Sequence, residues 1–151
     1  LMLSGIGPAA HLKDHAGQIS LPGGRIAAGE TPAAAALREA HEEVGLAPAT
    51  VEVIGTLDEF LTGTGFSITP VVGVVDDAGF AAVPDPPEVA GVFEVPLAII
   101  LDRGAMNAGY FERHGSRFLT YELLYAGRRI WGATAAVLRN FQDVVLDEPG
   151  I

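Results

Sequence analysis

GRIAAGETPAAAALREAHEEVGL, Gly24–Leu46, is the stretch whose reading decides the fold of this chain. Thr31-Pro32 is a helix start: threonine can accept from an orphan amide, and proline suits the first helical position. The alanine run behind it favours helix, and Gly45 is placed to end it. On that helix Glu39, Glu42 and Glu43 stand at i, i+3 and i+4, so three carboxylates share one face. Leu37, Ala40 and Val44 fall on the other side, where a sheet can pack. Arg38 stands four residues before Glu42 and can brace it as an ion pair. His41 points away from the carboxylate face and reads as a surface residue. Stacked like charges repel, and helix propensity does not require them. Taken alone, the three glutamates have an ordinary explanation as a solvated face. A divalent cation would reverse the penalty, because carboxylate oxygens suit Mg²⁺ or Mn²⁺.

Outward from this helix, 151 residues can bury one sizeable core, and we expect a single domain over 1–151. Nine Lys and Arg against nineteen Asp and Glu leave a net charge of −10. That balance argues against nucleic acid as a partner, since phosphates need cations to neutralise them. With no cysteine there is no disulfide, thiolate zinc site or cysteine nucleophile, which fits a reducing, cytoplasmic setting. Apolar runs such as Pro96–Leu101 are too short to span a bilayer, so no membrane partner is expected. The start at Leu1, with no basic stretch and apolar core behind it, leads us to expect no signal peptide and natural residues missing in front.

Strands are expected at Gln18–Leu21, Val51–Leu61, Phe66–Val75 and Val89–Val95. The turn Thr62–Gly65 separates the second from the third, and Pro70 marks an edge or bulge. Leu97–Leu101 reads as a short helical turn. Phe118–Tyr125 and Arg128–Trp131 form a hairpin around Ala126-Gly127. A final helix over about Ala133–Leu146 places Val137, Phe141, Val144 and Val145 on one stripe. Trp131 and Phe141 read as core. One helix early, one late and strands between them predict an α+β domain.

Gly24, Glu30 and the run Arg38-Glu39-Ala40-His41-Glu42-Glu43-Val44-Gly45-Leu46 resemble the Nudix box in every fixed position. Only Ala40 departs, where the pattern prefers a bulkier aliphatic. The resemblance implies an α/β/α sandwich around a mixed β-sheet. It also implies hydrolysis of a nucleoside diphosphate linked to another moiety, with Mg²⁺ or Mn²⁺ as cofactor. Carried over, Glu39 and Glu43 are the principal metal ligands, and Glu42 is a further ligand or a contact to metal-bound water. Arg38 orients the carboxylates, and Glu30 supports the loop or reaches a second metal. Gly23 and Gly24 would let backbone carbonyls approach the metal. Glu88 is a general-base candidate by the same resemblance, so Arg38, Glu42 and Glu88 form the catalytic set.

The segment Leu12–Gly24 resembles the signature before the box in coenzyme A diphosphatases. Thr64–Phe66, Thr69–Gly73, Glu88-Val89, Phe93–Leu97 and Ile130–Thr134 also look like that family. This implies a small nucleotide substrate of coenzyme A type, cleaved to 4′-phosphopantetheine and adenosine 3′,5′-bisphosphate. His15, Gln18 and Gly23 would touch it, although His15 and Gln18 serve equally well to satisfy loop backbone. Arg25, Arg113, Arg117, Arg128 and Arg129 are candidates for the 3′-phosphate. The family's Thr-x-Arg stretch is missing at Ser4–Pro8, which supplies no arginine. Other diphosphates such as ADP-ribose or NADH are the alternative, and a non-catalytic Nudix-fold sensor ranks below both. Members often pair through the sheet or termini, so a homodimer is compatible with the resemblance.

Overall fold

The structure is a computed structural model describing residues 4–6, 18–76, 81–83, 85, 89 and 91–147. The first strand, β1, is Ser4–Ile6, and helix α1 runs Pro32–Val44. Its cap is the expected one: Thr31 Oγ1 accepts from the Ala34 amide at 3.2 Å. At the other end Gly45 turns left-handed (φ 74°), a conformation open to glycine at little cost. Its amide and that of Leu46 donate back to His41 and Ala40.

Strands β2 (Val51–Thr56), β3 (Phe60–Leu61), β4 (Ser67–Ile68) and β5 (Val71–Val75) follow. They make one interrupted hairpin, β2 on β5 and β3 on β4, closed by the Thr62–Gly65 turn. The single strand expected over Val51–Leu61 is broken at Leu57–Glu59. There the Leu57 amide donates to the Pro70 carbonyl and the Asp58 amide to Asn140 Oδ1. Pro70 does interrupt the return strand. Strand β6 is Val92–Glu94, shorter than expected, and pairs with β1. Gln18–Leu21 contributes only an isolated bridge at Ser20.

Helix α2 (Leu97–Ile100) leads to a meander of β7 (Met106–Arg113), β8 (Ser116–Tyr125) and β9 (Arg128–Trp131), and α3 (Gly132–Asp147) closes the chain. Every ladder among the described residues is antiparallel. Met106, Leu123 and Ile130 stand opposite one another across the meander, all buried. Leu138 and Phe141 of α3 cover them, with Val72, Val95 and Ile100. A second cluster joins Ala40 and Val44 of α1 to Leu46 and Val89, against Val51 and Val75. Because alternate residues of a strand face opposite ways, β5 sends Val72 to one cluster and Val75 to the other. Helices on both sides of shared strands are the α+β arrangement the sequence predicts.

Two expected core positions are corrected. Trp131 is 40% exposed, because its neighbour Ile130 takes the inward place on β9 and alternation turns Trp131 out. Val144 is 42% exposed, lying at the margin of a buried helical face centred on Leu138. No helix among the described residues is long and apolar enough to cross a membrane.

Candidate active site

The turn Pro22–Gly24 lies against the carboxylate face of α1. The Gly23 amide donates to Glu43 Oε2 at 3.0 Å, tying turn to helix. At Gly24 the approach is closer still. A Cβ built there would sit 2.2 Å from Oε1 and 2.4 Å from Cδ of Glu39, so only glycine leaves the carboxylate its place.

Arg38 organises the rest. Its Nε and Nη2 fork onto the two oxygens of Glu30, at 2.9 and 3.0 Å. Nη1 donates to Glu39 at 2.6 Å and reaches Glu42 at 3.5 Å, while Nη2 also donates to the Arg25 carbonyl at 3.0 Å. One planar cation thus links three carboxylates and the loop, a geometry lysine cannot copy. Glu30 further accepts from the Ala27 amide at 2.9 Å. Hydrogen bonding from Arg38, then from Ala27, holds the Glu30 carboxyl below its ordinary range. The bonds to Glu30 and Glu39 push the Arg38 guanidinium up, so it stays a cation.

The structure therefore brings together Glu30, Arg38, Glu39, Glu42, Glu43, Gly23 and Gly24 as the sequence suggests. Among the described residues, no three acidic or histidine side chains converge on one point at metal-ligand spacing. Arg38 bridges Glu39 and Glu42 instead. The donor set still suits a hard divalent cation. It offers carboxylate oxygens beside a glycine turn, where a side chain on Gly24 would fill the space of the Glu39 carboxylate.

Gln18 lies apart from the carboxylates, its Nε2 donating to the Trp131 carbonyl at 3.5 Å. That contact satisfies a backbone carbonyl at the end of strand β9, where the sequence allowed a bond to loop backbone or a contact with substrate. His15 and Glu88 lie outside the described residues. Glu88's neighbours are anchored, however. The Val83 and Asp85 amides donate to the Val44 and Glu43 carbonyls at the end of α1, and the Val89 amide donates to Asp85. Sequence reasoning missed these bonds from Val83 and Asp85 to the end of α1; unsatisfied carbonyls at a helix end were the available signal.

The candidate arginines are dispersed. Arg117 lies over Tyr110, Arg128 over Phe93, and Arg129 pairs with Glu122. Arg113 donates to the Gly63 carbonyl at 3.3 Å, and Arg25 alone is next to the glycine turn.

Comparison with known proteins bears on this geometry. The NUDIX domain model matches residues 8–114. A protein of Escherichia coli O7:K1 (strain IAI39 / ExPEC), carrying the name Uncharacterized Nudix hydrolase NudL, is 42% identical over 132 residues, covering 86% of this chain and 68% of its own. Proteins with the same name give similar figures. That of Escherichia coli strain SMS-3-5 is 44% identical over 134 residues, with 86% and 68% covered. That of Cronobacter sakazakii (strain ATCC BAA-894) is 41% identical over 145 residues, with 93% and 73% covered.

Proposed function

This chain belongs to the Nudix hydrolases, enzymes of pyrophosphate bonds, and we propose that its substrate is coenzyme A or a derivative, cleaved with Mg²⁺ or Mn²⁺ at the diphosphate bridge. The observation that carries the reaction class is the grip on the glutamates. Arg38 holds Glu39 and Glu42, Gly23 holds Glu43, and Gly24 leaves Glu39 its place.

Glu39, Glu42 and Glu43, with a carbonyl of the glycine turn, would hold the cation. When bound, it offsets the phosphoryl charge and lowers the pKa of an attached water. The protein's own part is orientation. Arg38 fixes the carboxylates in register, and Glu30 fixes Arg38. A nearby carboxylate takes the proton from the attacking water; Glu88 is our candidate, by the resemblance that the sequence carries at Glu88-Val89. The net reaction adds water across P–O–P, one phosphate leaving as the other is attacked.

The coenzyme A assignment is supported by the resemblance at Leu12–Gly24, Thr64–Phe66, Thr69–Gly73 and Ile130–Thr134. Incubation with coenzyme A, ADP-ribose and NADH in Mn²⁺ buffer tests it. The expected result is 4′-phosphopantetheine and adenosine 3′,5′-bisphosphate from coenzyme A, with the other two cleaved far more slowly. Faster release of AMP from ADP-ribose or NADH would shift the substrate and keep the class. Unchanged activity in Glu43→Gln would remove the carboxylate assignment.

A further inference from the structure

The turn after β3 is unusually well tied for a surface loop. The Thr62 amide donates to the Phe66 carbonyl at 2.8 Å and the Gly65 amide to the Thr62 carbonyl at 3.0 Å. The Phe66 amide donates to Thr62 Oγ1 at 3.0 Å, and the Thr62 and Thr64 hydroxyls are 2.9 Å apart. From the meander, Arg113 adds its bond to the Gly63 carbonyl. This braced turn presents Phe66 with 57% of its surface exposed. A large apolar ring held rigid in water is a ready contact surface, because little conformational entropy is lost when something packs on it.

What faces the ring is Arg25. Its guanidinium carbon lies 5.8 Å from the Phe66 centroid, within cation–π range. Its backbone carbonyl is the one held by Arg38, so Arg25 is fixed to the carboxylate site at one end and meets the aromatic turn at the other. The ion pairs among the described residues engage Arg38, Arg103, Arg129 and Arg139, whereas Arg25 spends its charge on a ring. A cation and an exposed aromatic face, side by side at the rim of an acidic site, match a ligand that is itself an aromatic ring bearing anionic groups. A nucleotide has that chemistry; a diphosphate with an aliphatic arm does not.

We infer that Arg25 and Phe66 form the seat for the nucleoside half of the substrate, Phe66 stacking on the base and Arg25 meeting its phosphate. This rests on the reading of the site as a nucleotide diphosphatase. It adds that recognition runs through the base.

Calorimetric titration in Mg²⁺ buffer with adenosine 3′,5′-bisphosphate and with inorganic pyrophosphate tests it. Phe66→Ala is expected to weaken the bisphosphate about tenfold, leave pyrophosphate unchanged and raise KM for coenzyme A with kcat held. Phe66→Trp restores the wild-type values. Arg25→Gln weakens the bisphosphate similarly, and Arg25→Lys recovers only part, lacking the planar fork. Wild-type bisphosphate affinity in Phe66→Ala, or equal loss of both probes, overturns the inference. If that occurs while the wild type still cleaves coenzyme A, the diphosphatase reading stands. A wild type that cleaves no nucleotide diphosphate removes both.

Discussion

Gly24 and Glu39 occupy one another's space: the position a Cβ would take on the glycine lies 2.2 Å from a carboxylate oxygen of the glutamate. The glycine is not needed for backbone reasons, since its φ is not among the positive ones. Its role is room. Gly24→Ala should therefore displace the end of a flexible side chain and leave the fold alone. We expect kcat to fall at least about tenfold, with the thermal midpoint within about 2 °C of wild type, as for surface changes of under 0.5 kcal/mol. Paired rate assays and melting curves check this. A fully active alanine variant would show that the position of Glu39 does not matter.

The fork of Arg38 onto Glu30 makes a pH prediction with a definite sign. Hydrogen bonding from Arg38 is the first cause holding Glu30 below the ordinary 4.5. A carboxyl depressed in the folded state contributes stability that is present above its unfolded value and lost as pH falls through the folded one. Arg38→Gln removes that cause. The gap in melting temperature between wild type and variant should be widest near neutrality and narrow progressively as pH falls below 4.5. A gap that does not narrow at all as pH falls below 4.5 would mean Arg38 acts through packing instead.

Ala126 sits at φ 48°, a left-handed position for a residue with a side chain, and Gly127 follows at φ 75°. Two positive values in a two-residue hairpin loop describe a turn that favours Asn-Gly. Alanine there is strained by roughly 1 kcal/mol, which asparagine relieves. Ala126→Asn should raise the melting temperature by about 2–4 °C without touching activity.

The helix and its carboxylates were legible in the sequence because everything that sets them is local. Thr31, Pro32, the alanine run and Gly45 act within a few residues, and the box spacing maps directly onto one helical face. What stayed hidden depends on distant partners. Trp131 reads as core by composition, yet pairing of Ile130 with Leu123 decides which face of β9 is buried. Strand β7 was not foreseen, since its outer residues are mostly exposed and show no apolar alternation. In the site, Arg38 was expected to brace Glu42. The closer contacts, to Glu30, Glu39 and the Arg25 carbonyl, arise because the loop folds back, which spacing does not reveal. Phe66 likewise stands out only once the turn lies beside Arg25.

Gln142 is fully buried in α3, and its Nε2 donates to the Ile100 carbonyl at 2.8 Å. Ile100 ends α2, so this bond satisfies one of the carbonyls a helix terminus leaves over. Oε1 of the same side chain meets no donor among the described residues. Gln142→Leu then has two opposed effects: it strands the Ile100 carbonyl, and it removes an unpaired oxygen. We expect a net loss of about 1 kcal/mol. Gln142→Glu keeps the shape but places a carboxylate against a carbonyl in a buried site, so at pH 8 it should be the less stable variant by a further 1–3 kcal/mol or so. Burial raises the pKa of such a carboxyl, and its protonated form can donate to Ile100 as the amide did. The glutamate variant should therefore recover as pH falls from 8 to 5, overtaking the leucine variant at the acid end. Melting curves of the two across that range decide it, and a pH-independent ranking would show that the bond to Ile100 is not what Gln142 contributes.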